Sequence, residues 1–339
     1  LRIVKENSTL RLLHARFQTA ANECLTGASQ STEIAHSVLG DVKEIERGVS
    51  SMDEVPSVAQ VIADLTPKEI LSPSARNSIK TGLHEFDKRT TGLEPGTLTI
   101  IAGRPSSGKS LVSVSMAFRM AEMEVPVAIF SMEMSARSLL DRMMCGKARV
   151  DLMRFRSGST TTEENRLLHD SLNYIYGLPI YIDEKPNITV AEVARKLEKM
   201  KREHGIKVAI IDYMQLMVLP VRGTGSSKSQ NTNEILTAIS EGLKSIAKNL
   251  DIAIVALSQL SRNPESRKDH RPMLSDLRES GGLEQTADLV VLLFREYQYT
   301  PDNTSLQTYL EMIIAKQRQG ATGSFGVRFL GSYCIVEDL

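Results

Sequence analysis

The chain has 339 residues, 41% hydrophobic and 24% charged, and its 41 Lys and Arg balance 41 Asp and Glu to a formal net charge of zero. That is the composition of an ordinary globular chain with one large core and an appendage, and no apolar run approaches the ~20 residues of a membrane span. Cys24, Cys145 and Cys334 lie far apart and the six His are scattered, which excludes a disulfide framework or zinc site by spacing.

The amino terminus, Leu1 to Asn7, carries neither a sustained apolar core nor a small-residue cleavage site, so a cytoplasmic setting is expected. An initiator Met is missing, and the chain reads as a fragment. Zero net charge confines any DNA contact to local clusters. With no Trp and 5% aromatic residues, tracking of the nucleic-acid backbone fits better than base stacking.

In chain order, Leu10, Leu13, Phe17, Ala20 and Ala21 recur at helical spacing up to about Gly27. A second amphipathic helix follows. Ser31 or Thr32 caps it, Ile34, Val38, Val42 and Ile45 form its stripe, and Gly48 ends it. So narrow a stripe must dock on something, either its own domain or a neighbouring subunit. Residues 50–80 are rich in Ser and Pro, with a short helix near 56–65, and read as linker. The resulting division is a helical remnant over 1–26, linker helix and linker over 27–80, and a main domain over 81–339.

Past Thr81 short apolar runs alternate with amphipathic segments, the pattern of a mainly parallel sheet flanked by helices. Strands are predicted at 98–102, 127–131, 180–183, 208–212, 252–257, 289–294 and 310–315. The polar run from Arg222 to Asn231, which includes Lys228, cannot bury apolar area and is predicted to be a loop.

Gly103-Arg104-Pro105-Ser106-Ser107-Gly108-Lys109-Ser110 fits G-x-x-x-x-G-K-[ST] between a predicted strand and a predicted helix. Backbone N–H groups of Gly103, Ser106, Ser107 and Gly108 can turn around phosphates, Lys109 can reach the terminal phosphates, and the Ser110 hydroxyl can face Mg²⁺. Val208 to Asp212 is an apolar strand ending in a carboxylate, suited to Mg²⁺ unless the acid merely ends the strand. Because Tyr213 and not a second acid follows, a base must come from elsewhere. Glu133, just past the strand that ends at Ser131, is placed to orient water or to cap the helix opening near Ser135.

Gln259 ends another apolar strand and can sense a γ-phosphate or simply bond its loop. The segment Leu274 to Gln285 mixes charges with the pair Gly281-Gly282 and reads as a functional loop or a solvated turn. Lys316 and Arg318 sit two residues apart after an apolar strand, on one face if the strand continues. They could clamp phosphate or sit on a hairpin surface.

Six segments in order resemble the carboxyl-terminal motor of DnaB-type replicative helicases: the Gly103 to Ser110 loop, Phe130 to Met134, Ile211 to Leu216, Leu257 to Arg262, Ser275 to Gly281, and Ala315 to Arg318. The resemblance implies a RecA-like P-loop core, ATP and Mg²⁺ as cofactors, a homo-hexamer around single-stranded DNA, 5′ to 3′ translocation, and a helicase loader and primase as partners. It implies Glu133 as catalytic base, Ser110 and Asp212 at Mg²⁺, Gln259 as sensor, and Lys316 with Arg318 reaching a neighbour's γ-phosphate. Arg278, Glu279 and Gly281, with the loop holding Arg222 and Lys228, would face DNA. Two other functions share these residues: a RecA-like strand-exchange ATPase and a nucleotide-gated assembly factor that unwinds nothing.

Overall fold

The computed structural model describes residues 78–218, 232–261 and 263–339, together with the isolated residues Phe17, Gln18, Ala21 and Val58. Two compact units divide the chain, Leu1–Pro73 and Ser74–Leu339, and the second contains everything below. The two amino-terminal helices, the short helix near 56–65 and the 222–231 loop expected from sequence lie outside the described residues, save for those four.

Nine strands form one sheet in the order β3-β2-β4-β5-β1-β6-β7-β8-β9. The first six in that order run parallel: β3 (Ile180–Asp183), β2 (Val127–Ser131), β4 (Val208–Asp212), β5 (Ala253–Gln259), β1 (Leu98–Gly103) and β6 (Leu289–Phe294). An antiparallel extension follows, β7 (Tyr309–Gln317), β8 (Gly323–Leu330) and β9 (Ile335–Asp338).

Burial explains the change of pattern. β1, β2, β4 and β6 are buried at every position, as parallel strands covered on both faces must be. β7 and β8 instead alternate buried and partly exposed residues, so one face is open. The predicted strands coincide with the observed ones to within two residues, but β8 and β9 were not foreseen. The buried apolar positions of β8 are every second residue, Phe325, Val327 and Phe329, among glycines, and β9 adds only Ile335 and Val336, so neither produces an apolar run.

The pleat sorts the core into two halves. Ile101, Ile129, Ile210, Val255 and Val291 face α2 (Lys109–Glu122) and α3 (Ala136–Ala148), while Ile100, Ala128, Ile211, Ile254 and Val290 face α6 (Val190–His204) and α7 (Thr232–Leu250). The remaining helices are α1 (His84–Thr90), α4 (Leu152–Arg156), α5 (Thr162–Tyr176) and α8 (Gly281–Thr286). Local chemistry sets their ends. Thr161 and Thr189 make capping boxes with Glu164 and Glu192 at the starts of α5 and α6, each satisfying two otherwise orphaned N–H groups.

The 274–285 segment is more ordered than a solvated turn. It forms a 3-10 helix, Leu274–Ser280, running into α8, with Leu277 and Leu283 buried. The hydrophobic pair at 277 and 283 anchors it against α7, although its sequence is mostly polar.

Candidate active site

Four strands deliver their carboxyl ends to one cleft. β1 ends in the phosphate loop, β2 leads to Glu133, β4 ends at Asp212 and β5 at Gln259. Ser131 is in register with Asp212, and the N–H of Met132 donates to the Asp212 carbonyl at 2.9 Å. Gly103 is in register with Gln259, and the N–H of Leu260 donates to the Gly103 carbonyl at 3.2 Å. Crevices beyond the carboxyl strand ends are where open α/β sheets hold ligands.

The phosphate loop needs its glycines for two separate reasons. A β-carbon on Gly103 would sit 2.2 Å from the Ser107 hydroxyl oxygen and 3.3 Å from the Leu293 β-carbon, so a side chain there would turn the Ser107 hydroxyl out of its place in the loop. Gly108 has φ +96° and a β-carbon there would lie 2.7 Å from the Phe329 ring, a conformation and a contact that side chains do not tolerate. The Lys109 ammonium folds back to donate to the carbonyls of Gly103 at 3.0 Å and Arg104 at 3.1 Å.

A cleft of about 510 Å³ opens over this loop, lined by Lys109, Ser110, Glu133, Arg142, Tyr213 and Gln259 among others. Burial pushes the Lys109 ammonium below its usual range, against the pull of Asp212 and Glu133. Burial likewise raises the Asp212 carboxyl, partly offset by the Ser110 hydroxyl that donates to it. Asp212 is 3% exposed, and its Oδ2 has no hydrogen-bond partner. An orphaned carboxylate oxygen beside a hydroxyl suits a hard divalent cation. Among the described residues no group of three or more His, Cys, Asp or Glu is placed to hold a metal, so such an ion would take its other ligands from phosphate and water.

Glu133 is exposed at the lip of the cleft. The capping alternative for it does not hold: α3 is capped by the Ser135 side chain, which accepts from the N–H of Ser138, and the N–H of Ala136 donates to Glu184. Gln259 is reached through Gln215, whose side-chain N–H₂ group donates to the Ser258 hydroxyl at 2.9 Å and to the Gln259 carbonyl at 3.3 Å.

Lys316 and Arg318 are not in this cleft. Arg318 donates its backbone N–H to Asp288 at the start of β6, and its guanidinium lies 3.2 Å from the Asp288 carboxylate and 2.9 Å from the Gln285 carbonyl. Lys316 caps the end of α8 through the carbonyls of Glu284, Gln285 and Ala287. Since Leu293 of β6 is in register with Gly103, Asp288 lies five residues back along the strand, roughly 16 Å at about 3.3 Å per residue. The two cations therefore share one location, at the opposite ends of the parallel strands from their own chain's phosphate loop.

Three lining residues were missed by sequence reasoning. Arg142 projects from α3 with its Nε buried and unpartnered, Phe329 comes from the unforeseen β8, and Tyr213 was read only as the absence of an acid. Arg142 carries no sequence signal, being one of several cations on an amphipathic helix.

Residues 78–338 match the DnaB-like helicase C terminal domain family. The chain belongs to that family. Replicative DNA helicase DnaC of Bacillus subtilis (strain 168) is 35% identical over 335 residues, covering 98% of this chain and 72% of that protein. Replicative DNA helicase DnaB of Geobacillus stearothermophilus is 36% identical over 345 residues, with the same coverage. Of solved structures, the ATPase domain of G40P has a TM-score of 0.76 at 30% identity, over 84% of this chain and 99% of that one. A DnaB-like replicative helicase described with its interactions with primase has a TM-score of 0.85 at 28% identity, over 100% and 78%. The RecA-like fold and the replicative helicase activity expected from the six segments thus stand, and this DnaB-like helicase is an enzyme that couples nucleotide hydrolysis to DNA unwinding. The strand-exchange and assembly-factor readings give way to it.

Proposed function

We propose that the chain works as a homo-hexameric ring that hydrolyses ATP between subunits and moves 5′ to 3′ along single-stranded DNA in the cytoplasm, meeting a helicase loader and primase there. The observation that carries this reading is the separation of the site into two halves. Glu133, Lys109, Ser110, Asp212 and Gln259 gather at the carboxyl ends of the parallel strands, while Lys316 and Arg318 are held at the opposite ends. A cation pair so placed can meet a γ-phosphate only on another copy.

In this reading the backbone of Gly103, Ser106, Ser107 and Gly108 cradles the phosphates and Lys109 exchanges its loop carbonyls for phosphate oxygens. Ser110 and Asp212 would hold Mg²⁺, which neutralises charge on the β- and γ-phosphates. Glu133 orients the attacking water and accepts its proton. Gln259 registers the γ-phosphate and its loss, and the neighbour's Lys316 and Arg318 stabilise charge on the transferring group.

Arg278, Glu279 and Gly281 would meet the DNA backbone. Such contacts carry no sequence information, as a translocating motor requires. The contacts expected of Arg222 and Lys228 fall outside the described residues. The test is ATP-driven unwinding of forked duplexes whose loading strand is offered with a 5′ or a 3′ tail, with imaging of the particles. Rings that open only the 5′-tailed fork are expected; a fully active monomer would overturn the hexamer, and unwinding from the 3′ tail would overturn the polarity.

A further inference from the structure

The second residue of the phosphate loop has a side chain that turns away from the nucleotide cleft. The Arg104 guanidinium donates to the carbonyls of Leu260 at 3.0 Å and Ser261 at 3.2 Å, and its Nε donates to Glu265 at 3.1 Å. Only 14% of this side chain is exposed, so these bonds largely replace solvent. Charge-assisted bonds of this kind are stronger than neutral ones and fix direction as well as distance.

Ser261 is a joint. Its carbonyl receives Arg104, and its N–H donates to the backbone carbonyl of Asp276 at 3.2 Å. Asp276 is 1% exposed and is fixed by Arg267 at 2.9 Å and by the N–H of Met273 at 2.7 Å. It lies in the 3-10 helix Leu274–Ser280, two residues before Arg278. The span between these anchors is pressed onto the sheet's extension by the stacked rings of His270 and Tyr299, 4.3 Å apart, and by Arg271 on Glu311 at 2.6 Å.

At its other end Arg104 touches the nucleotide machinery directly, because its backbone carbonyl is one of the two that Lys109 holds. The Ser107 N–H also donates to this carbonyl, at 3.1 Å, so a phosphate that draws Lys109 away removes one of the two bonds on the residue whose side chain holds the carbonyls of Leu260 and Ser261. The path from the ammonium to the DNA-side segment runs through three hydrogen bonds, Lys109 to the Arg104 carbonyl, the Arg104 guanidinium to the Ser261 carbonyl, and the Ser261 N–H to the Asp276 carbonyl. Short polar chains of this kind transmit displacement when their ends have two alternative partners.

We propose that Arg104 is a positioning residue that ties the phosphate loop to the 274–280 segment through Ser261 and Asp276, so that DNA bound there sets the rate of hydrolysis. The inference rests on the reading of Arg278, Glu279 and Gly281 as the DNA side of the motor. Glu265, which lies outside the nucleotide cleft and outside the DNA segment, is the place to test it.

In the full 339-residue chain, ATP hydrolysis is measured with and without an oligothymidine strand for wild type, Glu265→Ala and Glu265→Gln. Wild type is expected to be stimulated by DNA. Glu265→Ala should keep its DNA-independent kcat and its KM for ATP within about twofold, yet lose at least threefold in the ratio of stimulated to basal rate. Glu265→Gln, which still offers Arg104 an acceptor oxygen, should fall between. DNA affinity should also differ less between ADP and a non-hydrolysable ATP analogue in Glu265→Ala than in wild type. A wild type that ignores DNA overturns the DNA-side reading and the tie with it. A stimulated wild type alongside an equally stimulated Glu265→Ala overturns the tie alone, as does a loss shared equally by basal and stimulated rates, which marks a merely structural bond.

Discussion

At the carboxyl ends of the parallel strands Lys109 is half-buried beside two carboxylates and a loop that bends around it, whereas at the opposite ends Lys316 and Arg318 are held by helix carbonyls and by Asp288, with Arg318 half exposed. One end is a cleft waiting for anionic oxygens. The other is a mount in which the Lys316 ammonium is turned onto three helix carbonyls and Arg318 reaches solvent. Asp288 makes the mount stiff, since its carboxylate also takes Lys244 at 2.6 Å and the N–H of Leu98 at 2.8 Å, tying α7, β1 and Arg318 together. The contrast teaches that one sheet can hold a phosphate cleft at the carboxyl ends of its strands and a pair of cations at the opposite ends, too far apart to meet within one chain, which is why the proposed function needs a second copy.

The largest effect should come from breaking the end that holds the cations. Arg318→Ala is expected to lower kcat for ATP hydrolysis by about 10³-fold, the scale of removing a cation supplied across an interface, while nucleotide affinity measured by equilibrium titration stays close to wild type. Mixing it with Lys109→Ala sharpens the point: each variant retains the half the other lacks, so mixed assemblies should regain activity that neither has alone. No recovery at any ratio would put both halves in one chain and sink the separation.

Next in size is the lip of the cleft. Glu133→Gln should cut turnover by about 10²-fold, within the usual range for a lost general base, without weakening ATP binding. A variant that keeps most of its turnover would return the catalytic role to another group in the cleft.

The smallest effect is thermodynamic and falls on the buried carboxylate. Burial raises the Asp212 pKa, so the folded chain holds that proton to higher pH than the unfolded chain. The resulting contribution to stability is present below the ordinary carboxylate range and is lost as pH rises through the raised value. Asp212→Asn removes that loss. With a chelator present, its melting temperature should match wild type near pH 4 and exceed it by about 2 °C near pH 8, roughly 1 kcal/mol for a buried group without its full set of partners. A gain that does not depend on pH would mean that the charge is not what the fold opposes there.

Much of the cleft was legible in the sequence because its residues sit at the ends of buried parallel strands, and such strands announce themselves as apolar runs that stop at a polar residue. Gly103 to Ser110, Asp212 and Gln259 all have that signature, and Glu133 follows a strand that has it. The antiparallel extension was not legible, since its buried residues alternate with exposed ones among glycines, and with it went Phe329. Arg142 and the outward turn of Arg104 were also hidden, because nothing local distinguishes an arginine that enters a cleft from one that faces water.

By itself the sequence determined the strand set of the parallel sheet, the loop that can hold phosphate, and the residues on which chemistry could rest, since each depends on neighbours within a few positions along the chain. Tertiary structure alone decided which end of the strands each residue occupies: that Glu133 stands free of the α3 cap, that Arg104 reaches the segment before Arg278, and that Lys316 and Arg318 lie away from their own phosphate loop. Those placements follow from strand order and register, and a parallel sheet fixes both through hydrogen bonds between segments far apart in sequence, where no local pattern can specify them.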